Sequence, residues 1–368
     1  MMKGSNTEEG KFYHKNWYGE EAHQRNDNMI RLKNMADNYN FIDKTILDLG
    51  CNIGFFSFGL AQTIKNTIGI DYDKNAIDFA NKMKKEHNAK NTKFIHSDIT
   101  LEVLKKIGPV DCILGLAVYP WIMHQTSKDK MEKMLEWCSK NAQVNFIEIQ
   151  YENEPGQLPG IKNDDDCKKY LQKYFKYVYK VCKINGWGPR TIWKCLNNEG
   201  DYQVIINTIK TKCSISTNGI FKKEIVDKRH TFENEVKYLK LLDNEPMFPK
   251  YICHDDKKLL MSGINGINLH YLIVKKKHAI NIEKFKEMLY PFYNCLQKYN
   301  ICHQDINLDN IVIAVTGAPY LVDFEYASEL NGEIKNILKN TKEDINNFKM
   351  IEETLAEMKQ LQEYFNLT

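Results

Sequence analysis

The sequence predicts an α/β fold, with an open sheet of parallel strands in the first half and a smaller α+β unit in the second. Between Thr45 and about Asp111, apolar runs of strand length alternate with helical segments, as a parallel sheet with crossover helices requires. The polar stretch Asn197–Asp201 then interrupts the pattern. Near the C-terminus apolar residues recur at helical spacing, which indicates an amphipathic helix. We therefore predict domains at residues 1–198 and 202–330 and a C-terminal helix at 331–368.

Length and composition fit a protein of two domains with real apolar cores. The chain has 368 residues, 43% of them apolar, and a formal net charge of +3, which gives nucleic-acid binding little support. No apolar run approaches the roughly 20 residues that span a bilayer, and the N-terminus lacks the apolar segment of a signal peptide. The ten cysteines form no CxxC pair, which favours reduced thiols and a cytoplasmic location.

The stretch TILDLGCNIGFFSF, from Thr45 to Phe58, predicts a buried strand at Thr45–Leu49, a tight turn and the start of a helix. Gly50, Asn52 and Gly54 form the turn, and this arrangement is the nucleotide-binding device of open α/β sheets. The third glycine of a dinucleotide-binding turn is absent, because Phe55 stands there.

Acidic residues follow the next two predicted strands. The strand Thr67–Ile70 ends in Asp71, which lies 23 residues after Asp48 and is placed to bind both hydroxyls of a ribose. A third strand, Lys93–His96, is followed by Ser97 and Asp98.

These three stretches resemble the motifs of the class I S-adenosylmethionine-dependent methyltransferases, which have a Rossmann-like fold. LDLGCNIGFFSF is similar to their first motif, GIDYD to the ribose-binding motif and FIHSDIT to the adenine-binding motif. The resemblance implies that S-adenosylmethionine binds to Asp48, Gly50, Cys51, Asn52, Gly54, Asp71, Tyr72, Ser97, Asp98 and Ile99. It also implies that the segment from Lys11 to Arg31 caps the cofactor, although a solvated amphipathic helix is an equal reading.

The methyl acceptor should lie beyond the fourth strand, Val110–Val118, because ligands of this fold bind outside the carboxyl ends of the strands. Tyr119, Trp121 and His124 follow that strand, and His124 is the candidate catalytic base for a neutral hydroxyl acceptor. A phosphate acceptor would instead need cationic groups, for which the candidates are His14, Lys15, Arg25 and Arg31.

The rest of the first domain completes the sheet. A helix at Met131–Cys138 and a fifth strand at Val144–Gln150 precede the acidic run Asp164–Asp166, which we expect to cap the next helix rather than to hold a metal. The segments Tyr177–Lys183 and Thr191–Leu196 look like an antiparallel pair that closes the sheet.

The second domain carries a separate set of polar residues. His303, Asp305 and Asn310 fit the pattern HxDxxxxN, and Asp323 opens the triplet DFE 18 residues after Asp305. Phosphoryl transfer needs a carboxylate that orients the acceptor hydroxyl and oxygen ligands that hold Mg²⁺ on the nucleotide phosphates. The pattern resembles the protein-kinase-like superfamily, with Asp305 as the catalytic carboxylate and with Asn310 and Asp323 as metal ligands.

Upstream, the same resemblance implies a lysine–glutamate ion pair that holds the phosphates of ATP. Lys222 and Glu235 are our choices, and Lys223 is the alternative because adjacent strand residues point to opposite faces. The stretch Leu259–Leu269 resembles the hinge that binds adenine. No glycine-rich loop precedes Lys222, and no peptide-substrate motif follows Asp323, which argues against a protein substrate.

A methyltransferase followed by a compact kinase-like domain resembles the bifunctional enzymes that terminate bacterial O-antigen polysaccharides. Those enzymes phosphorylate a terminal sugar hydroxyl and then methylate the phosphate. The resemblance implies S-adenosylmethionine, ATP and Mg²⁺ as cofactors and a glycan or other small molecule as acceptor. The alternatives are a methyltransferase with an inactive kinase-like scaffold, and a methyltransferase that acts on RNA or protein. Oligomerisation through the C-terminal helix is also open.

Overall fold

The computed structural model describes residues 27–61, 64–151, 157–185, 189–227, 230–272, 290–292 and 294–329. The chain divides into two compact units, Met1–Asp201 and Tyr202–Thr368. The predicted C-terminal helix and the predicted acceptor-binding residues His14, Lys15 and Arg25 lie outside the described residues. All ten cysteines are free thiols, and all but Cys253 are buried.

A seven-stranded mixed sheet forms the centre of the first unit. In chain order its strands are β1 (Thr45–Leu49), β2 (Asn66–Asp71), β3 (Thr92–His96), β4 (Val110–Leu116), β5 (Ala142–Glu148), β6 (Tyr177–Asn185) and β7 (Pro189–Leu196). Their order in the sheet is β3-β2-β1-β4-β5-β7-β6, and the first five strands pair in parallel. Strand β7 runs antiparallel to β6, as the sequence predicted, and it also runs antiparallel to β5.

Helices cover the apolar strands of this sheet. They are α1 (Asn28–Asn38), α2 (Phe55–Leu60), α3 (Lys74–Glu86), α4 (Leu101–Ile107), α5 (Tyr119–Gln125), α6 (Lys128–Asn141) and α7 (Asp164–Leu171). One apolar cluster joins the strands to α4, α5, α6 and α7, and a second cluster joins them to α1 and α2. Because the two clusters lie on opposite faces of the sheet, the strands are buried on both faces. This burial explains why each strand is a continuous apolar run in the sequence.

The acidic run Asp164–Asp166 forms the first turn of α7, as expected for carboxylates at a helix N-terminus, but it does not supply the N-cap residue. The side chain of Asn163, and not an aspartate, caps this helix by accepting a hydrogen bond from the Asp166 backbone N–H at 3.0 Å. Asp164 instead points inward, where it accepts from the Thr191 hydroxyl at 2.7 Å and pairs with Lys180 at 2.9 Å. Burial opposes ionisation of Asp164, but hydrogen bonds from Tyr151, Lys180 and Thr191 lower its pKa to about 2.

The second unit contains an antiparallel sheet beside a helix. The strands β8 (Tyr202–Asn207), β9 (Thr211–Ser216), β10 (Ile220–Ile225), β11 (Tyr251–His254) and β12 (Lys258–Ser262) have the order β11-β12-β10-β9-β8. The helix α8 (Glu233–Leu241) follows β10 and packs into an apolar cluster together with Leu259, Ile306 and Phe324.

Shorter strands carry the loops that the sequence singled out. The strands are β13 (Gly266–Asn268), β14 (Ile301–Cys302), β15 (Ile311–Ala314), β16 (Pro319–Leu321) and β17 (Ser328–Glu329). The HxDxxxxN loop lies between β14 and β15, and the DFE triplet lies between β16 and β17. Because β14 pairs with β17 and β15 pairs with β16, the two loops are held side by side. Of the helices that the structure describes, none has the length and apolarity needed to cross a membrane.

Candidate active sites

The turn after β1 is tied to the end of β2 by backbone hydrogen bonds. The N–H groups of Gly50 and Cys51 both donate to the Ile70 carbonyl, at 2.9 and 3.0 Å. Gly50 and Gly54 have φ values of +70° and +83°, which glycine adopts without strain. A Cβ atom at Gly54 would also lie 2.7 Å from the Phe94 ring. The glycines are therefore required by the backbone and its packing, and the turn is fixed before any ligand binds.

Asp71, the predicted ribose ligand, is bound to the backbone of the turn at Asn52. The Asp71 carboxylate accepts hydrogen bonds from the backbone N–H groups of Asn52, at 2.8 Å, and Asp73, at 2.9 Å. Burial raises the pKa of Asp71, although these N–H groups oppose the shift. Asn52 has a φ of +48°, and its buried Oδ1 has no hydrogen-bond partner among the described residues. An unpaired buried acceptor beside a fixed carboxylate fits a ligand that carries hydroxyl or ammonium donors.

Asp48 lies beneath this turn and is buried. Its Oδ2 accepts from the Ser57 hydroxyl at 2.8 Å, which links β1 to α2. Burial raises the pKa of Asp48 to about 7, because desolvation disfavours the carboxylate more than the Ser57 hydrogen bond stabilises it. Asp48 therefore joins the end of β1 to α2 through Ser57.

The end of β3 completes this group of residues. The Ser97 N–H donates to the Asp71 carbonyl at 2.9 Å, and the Ser97 hydroxyl donates to the Asp98 carbonyl at 2.9 Å. Tyr72 and Asp98 are exposed, and Ile99 is half-buried. The structure thus brings the ten predicted S-adenosylmethionine residues together at the carboxyl ends of β1, β2 and β3.

The predicted acceptor residues have different environments. His124 is exposed on the last turn of α5, so its catalytic role stays a prediction. Tyr119 is fully buried against Gly115, where a Cβ atom would lie 2.4 Å from the tyrosine ring, and it is a core residue. Arg31 is 1% exposed, and its guanidinium pairs with Asp27 at 3.0 Å and Glu148 at 3.2 Å. Arg31 is therefore a buried, ion-paired residue, and its role toward a phosphate acceptor stays a prediction.

In the second unit, the lysine paired with Glu235 is Lys223. Its Nζ lies 3.0 Å from Glu235 Oε2, 3.0 Å from Asp323 Oδ1 and 3.3 Å from Glu325 Oε2. Burial alone would lower the pKa of Lys223, but Glu235 and Asp323 raise it above its usual value. Lys223 is therefore a permanent cation at the centre of three carboxylates.

The prediction that Lys222 pairs with Glu235 was wrong. Lys222 points to the other face of β10, where its ammonium lies 4.1 Å from the Tyr202 ring centre and 3.4 Å from Glu224. The reason is the strand pleat, which sends neighbouring side chains to opposite faces.

Asp305 is held by the amide groups of its own loop. Asn307 Nδ2 donates to Asp305 Oδ1, and Asn310 Nδ2 donates to Asp305 Oδ2, both at 2.9 Å. Because the Asn310 nitrogen binds Asp305, the amide oxygen of Asn310 is left as the atom that can bind a cation. Among the described residues no group of three histidine, cysteine or acidic side chains could hold a metal ion. The pair Asn310 and Asp323 still fits Mg²⁺, which is usually bound by few protein ligands together with water and phosphate oxygens.

His303 connects the two loops. Its Nε2 lies 3.1 Å from the Val322 carbonyl, and its buried ring packs against Phe324 with the ring centres 4.7 Å apart. Two residues beside these contacts, Gln304 and Asp323, have φ values of +64° and +66°. Strained backbone of this kind persists where the surroundings fix it, and it is concentrated at functional sites.

Sequence reasoning missed two residues of this region. Glu325, the last residue of the DFE triplet, binds Lys223 and lies 3.3 Å from His230 Nδ1. Asn234 Nδ2 donates to the carbonyls of Glu325 and Ala327, both at 2.7 Å, and so ties α8 to the DFE loop. The available signal for Glu325 was a carboxylate at the position where kinases have glycine. No pattern in the neighbouring sequence distinguishes Asn234.

The sheet order and the glycine turn after β1 indicate the class of the first unit, and comparison with known proteins agrees. Residues 41–186 match a family model described as a methyltransferase domain. The first unit therefore contains a methyltransferase domain, and S-adenosylmethionine is the methyl donor that such a domain uses.

The chain as a whole resembles the O-antigen chain terminator bifunctional methyltransferase/kinase WbdD of Escherichia coli. The identity is 26% over 358 residues, which cover 85% of this chain and 50% of WbdD. The chain thus spans about half the length of this relative. A solved structure of WbdD aligns with a TM-score of 0.44 and 18% identity, over 88% of this chain and 80% of that one. The U6 snRNA methylphosphate capping enzyme Amus of Drosophila melanogaster is 28% identical over 158 residues, or 39% of this chain and 49% of Amus.

Proposed function

We propose that the chain couples two group transfers in polysaccharide biosynthesis. The second unit phosphorylates a hydroxyl of a sugar or other small acceptor with Mg²⁺-ATP, and the first unit methylates the product, on its phosphate. The observation that carries the kinase half is the contact of Lys223 with both Glu235 and Asp323, at 3.0 Å each. A lysine held by a buried glutamate next to the metal-binding aspartate is the arrangement with which kinases hold ATP phosphates.

The names of two relatives support the pairing of activities and the acceptor. WbdD is named for both a methyltransferase and a kinase activity and for the termination of O-antigen chains. Amus is named for a methylphosphate cap. Phosphorylation followed by methylation of the phosphate is the sequence of reactions that reconciles both names with the two units of this chain.

In the phosphotransfer step, Asp305 orients the acceptor hydroxyl and takes up its proton. The two amide hydrogen bonds from Asn307 and Asn310 fix the Asp305 carboxylate in one orientation. The hydroxyl oxygen forms the new bond to the γ-phosphorus while the bond to the leaving ADP breaks. Lys223 binds the phosphates, and Asn310 and Asp323 would hold Mg²⁺, which supplies charge neutralisation there.

In the methyl transfer step, the first unit mainly positions the reactants. The bound S-adenosylmethionine supplies a methyl group on a sulfonium, which is already a good leaving group. An ionised phosphate oxygen can bond to that methyl without a general base, as the carbon–sulfur bond breaks. Positioning of this kind can lower a barrier by about 7–11 kcal/mol. A neutral hydroxyl acceptor would instead need a base, and His124 is the candidate.

Binding of Mg²⁺-ATP is the first test of this function. A ligand at 100 times its dissociation constant stabilises the protein that binds it by about 2.7 kcal/mol, which raises the midpoint of thermal unfolding by a few degrees. We expect this shift in the wild type and in Asp309→Ala, but not in Asp323→Ala. Asp309 is the matched control because it is exposed in the same loop region and contacts His270.

S-adenosylmethionine should stabilise the first unit of all three proteins, and protection of β10 and α8 from hydrogen exchange shows that the second unit of each variant is folded. No shift with saturating Mg²⁺-ATP in the wild type would contradict the kinase half of the proposal. It would leave a methyltransferase whose second unit has another role.

A further inference from the structure

The hydrogen-bond donors of Lys223 are all used by carboxylates. Its Nζ donates to Glu235 Oε2 at 3.0 Å, to Asp323 Oδ1 at 3.0 Å and to Glu325 Oε2 at 3.3 Å. An ammonium group has three N–H bonds and no further donor. While these three contacts are in place, Lys223 therefore has no N–H with which to bind a phosphate oxygen.

A divalent cation would release one of these contacts. Asp323 is the proposed metal ligand, and its side chain is 38% exposed, against 4% for Glu235. Mg²⁺ takes carboxylate oxygens as ligands, and its charge is larger than that of an ammonium group. A metal ion bound to Asp323 therefore competes with Lys223 for the same carboxylate. One N–H of Lys223 then becomes available to a phosphate oxygen, while Glu235 keeps the side chain in position.

Glu325 is held in place at both ends of the residue. Its Oε1 lies 3.3 Å from His230 Nδ1, and its backbone carbonyl accepts a hydrogen bond from Asn234 Nδ2 at 2.7 Å. Kinases have glycine at this position of the triplet, and glycine has no side chain that could bind the lysine. The third contact of Lys223 is therefore specific to the DFE triplet of this chain, and it is fixed by its surroundings.

From these observations we infer that Glu325 makes the second unit selective for a nucleotide that already carries a metal ion. A metal-free nucleotide must break an ion pair of Lys223, and its phosphates approach three carboxylates that share one cation. A metal-loaded nucleotide frees the Asp323 contact and needs neither Glu235 nor Glu325 to move. Glu325 is thus a specificity-determining residue. The inference rests on the proposed function and describes the nucleotide site of its first step.

Binding of ATP with and without Mg²⁺ tests this inference. The full chain is saturated with S-adenosylhomocysteine, so that ATP does not enter the methyl-donor site. Calorimetry then gives the dissociation constant of ATP in excess Mg²⁺ and in EDTA, and the ratio of the two constants is the readout. We compare the wild type with Glu325→Ala, Glu325→Gln and Glu224→Ala. Glu224 is the matched control, because its carboxylate lies 3.4 Å from Lys222 on the other face of β10 and is 25% exposed, against 24% for Glu325.

Each variant has a distinct expected result. Glu325→Ala frees one donor of Lys223, so metal-free ATP should bind about 10- to 100-fold more tightly, the usual contribution of a hydrogen bond to a charged group. The affinity for Mg²⁺-ATP should change far less, because Mg²⁺ frees a donor in both proteins. Glu325→Gln keeps an acceptor oxygen but loses the charge, so its gain should be intermediate. Glu224→Ala should keep the ratio of the wild type.

A purely structural role of Glu325 would weaken both forms of ATP alike and leave the ratio unchanged. Protection of β10 and α8 from hydrogen exchange reports that the second unit of each variant is folded. An unchanged ratio in both Glu325 variants would overturn the inference and leave the proposed function standing, since the wild type would still bind Mg²⁺-ATP. Failure of the wild type to bind either form would instead contradict the proposed function, and the inference with it.

Discussion

Replacing each of the two adjacent lysines of β10 in turn tests whether Lys223 or Lys222 is the ion-pair partner of Glu235. In Lys223→Met, Glu235 and Asp323 lose the cation between them. The Lys223 and Glu235 side chains are only 7% and 4% exposed. Removal of one partner of a buried ion pair costs about 3–5 kcal/mol, because the other charge stays buried without compensation. We expect a loss of that size in the free energy of unfolding of the second unit.

The matched variant is Lys222→Met. Lys222 lies over the Tyr202 ring and near Glu224, and both contacts are partly solvated. A solvated cation–π contact contributes about 0.5–1 kcal/mol, and a surface ion pair contributes about 0–1 kcal/mol. The expected loss is therefore about 1 kcal/mol. The same comparison applies to function, since Lys223→Met should lose Mg²⁺-ATP binding and Lys222→Met should keep it.

Hydrogen exchange measured by mass spectrometry on peptides from β10 and α8 is the suitable assay, because the second unit has no tryptophan. It gives the opening free energy of these elements directly. Equal losses in the two variants, or a larger loss in Lys222→Met, would refute the assignment of Lys223 as the partner of Glu235.

Three further variants test single carboxylates. Asp48 has a pKa raised from 3.8 to about 7, so between these values the folded protein holds a proton that the unfolded chain has lost, and stability falls as the pH rises. Asp48→Asn has no carboxyl to titrate, so its free energy of unfolding relative to that of the wild type should rise by up to about 4 kcal/mol between pH 4 and pH 7. Urea unfolding followed by tryptophan fluorescence measures this difference. A difference that does not change with pH would contradict the raised pKa of Asp48. Asp71→Asn should weaken S-adenosylmethionine binding about 10- to 100-fold by calorimetry, since a hydrogen bond to a charged group contributes about 1.5–3 kcal/mol; unchanged affinity would exclude Asp71 as a ribose ligand. Asp305→Asn should slow phosphotransfer about 10²- to 10⁴-fold and keep ATP binding; full activity would exclude Asp305 as the base.

The strands of the first unit could be predicted because parallel strands buried on both faces are continuous apolar runs. β1 has the predicted bounds, Thr45–Leu49, and β3 begins one residue earlier than predicted. The glycine turn and Asp71 could be predicted for the same reason, since each comes directly after such a strand. Each of these features depends only on residues that are neighbours in the sequence, so a short stretch of chain is enough to predict it.

The remaining features depend on contacts between distant residues. The choice between Lys222 and Lys223 needs the register of β10 against β9 and β12, which no local pattern supplies. Arg31 is buried where it pairs with Glu148, which lies 117 residues away in the sequence and also pairs with Arg190. An arginine in an amphipathic helix is usually solvated, and the sequence alone gives no sign that Arg31 is buried.

Dependence of methyl transfer on ATP tests the central claim most directly, namely that the two units act in sequence on one acceptor. Neutral oligosaccharides from the source cells are incubated with the full chain and S-adenosylmethionine that carries a ¹³C-labelled methyl group, with and without Mg²⁺-ATP. The account predicts a labelled methyl phosphodiester only when ATP is present, and none with Asp305→Asn. Label transferred equally without ATP, or equally by Asp305→Asn, would contradict it.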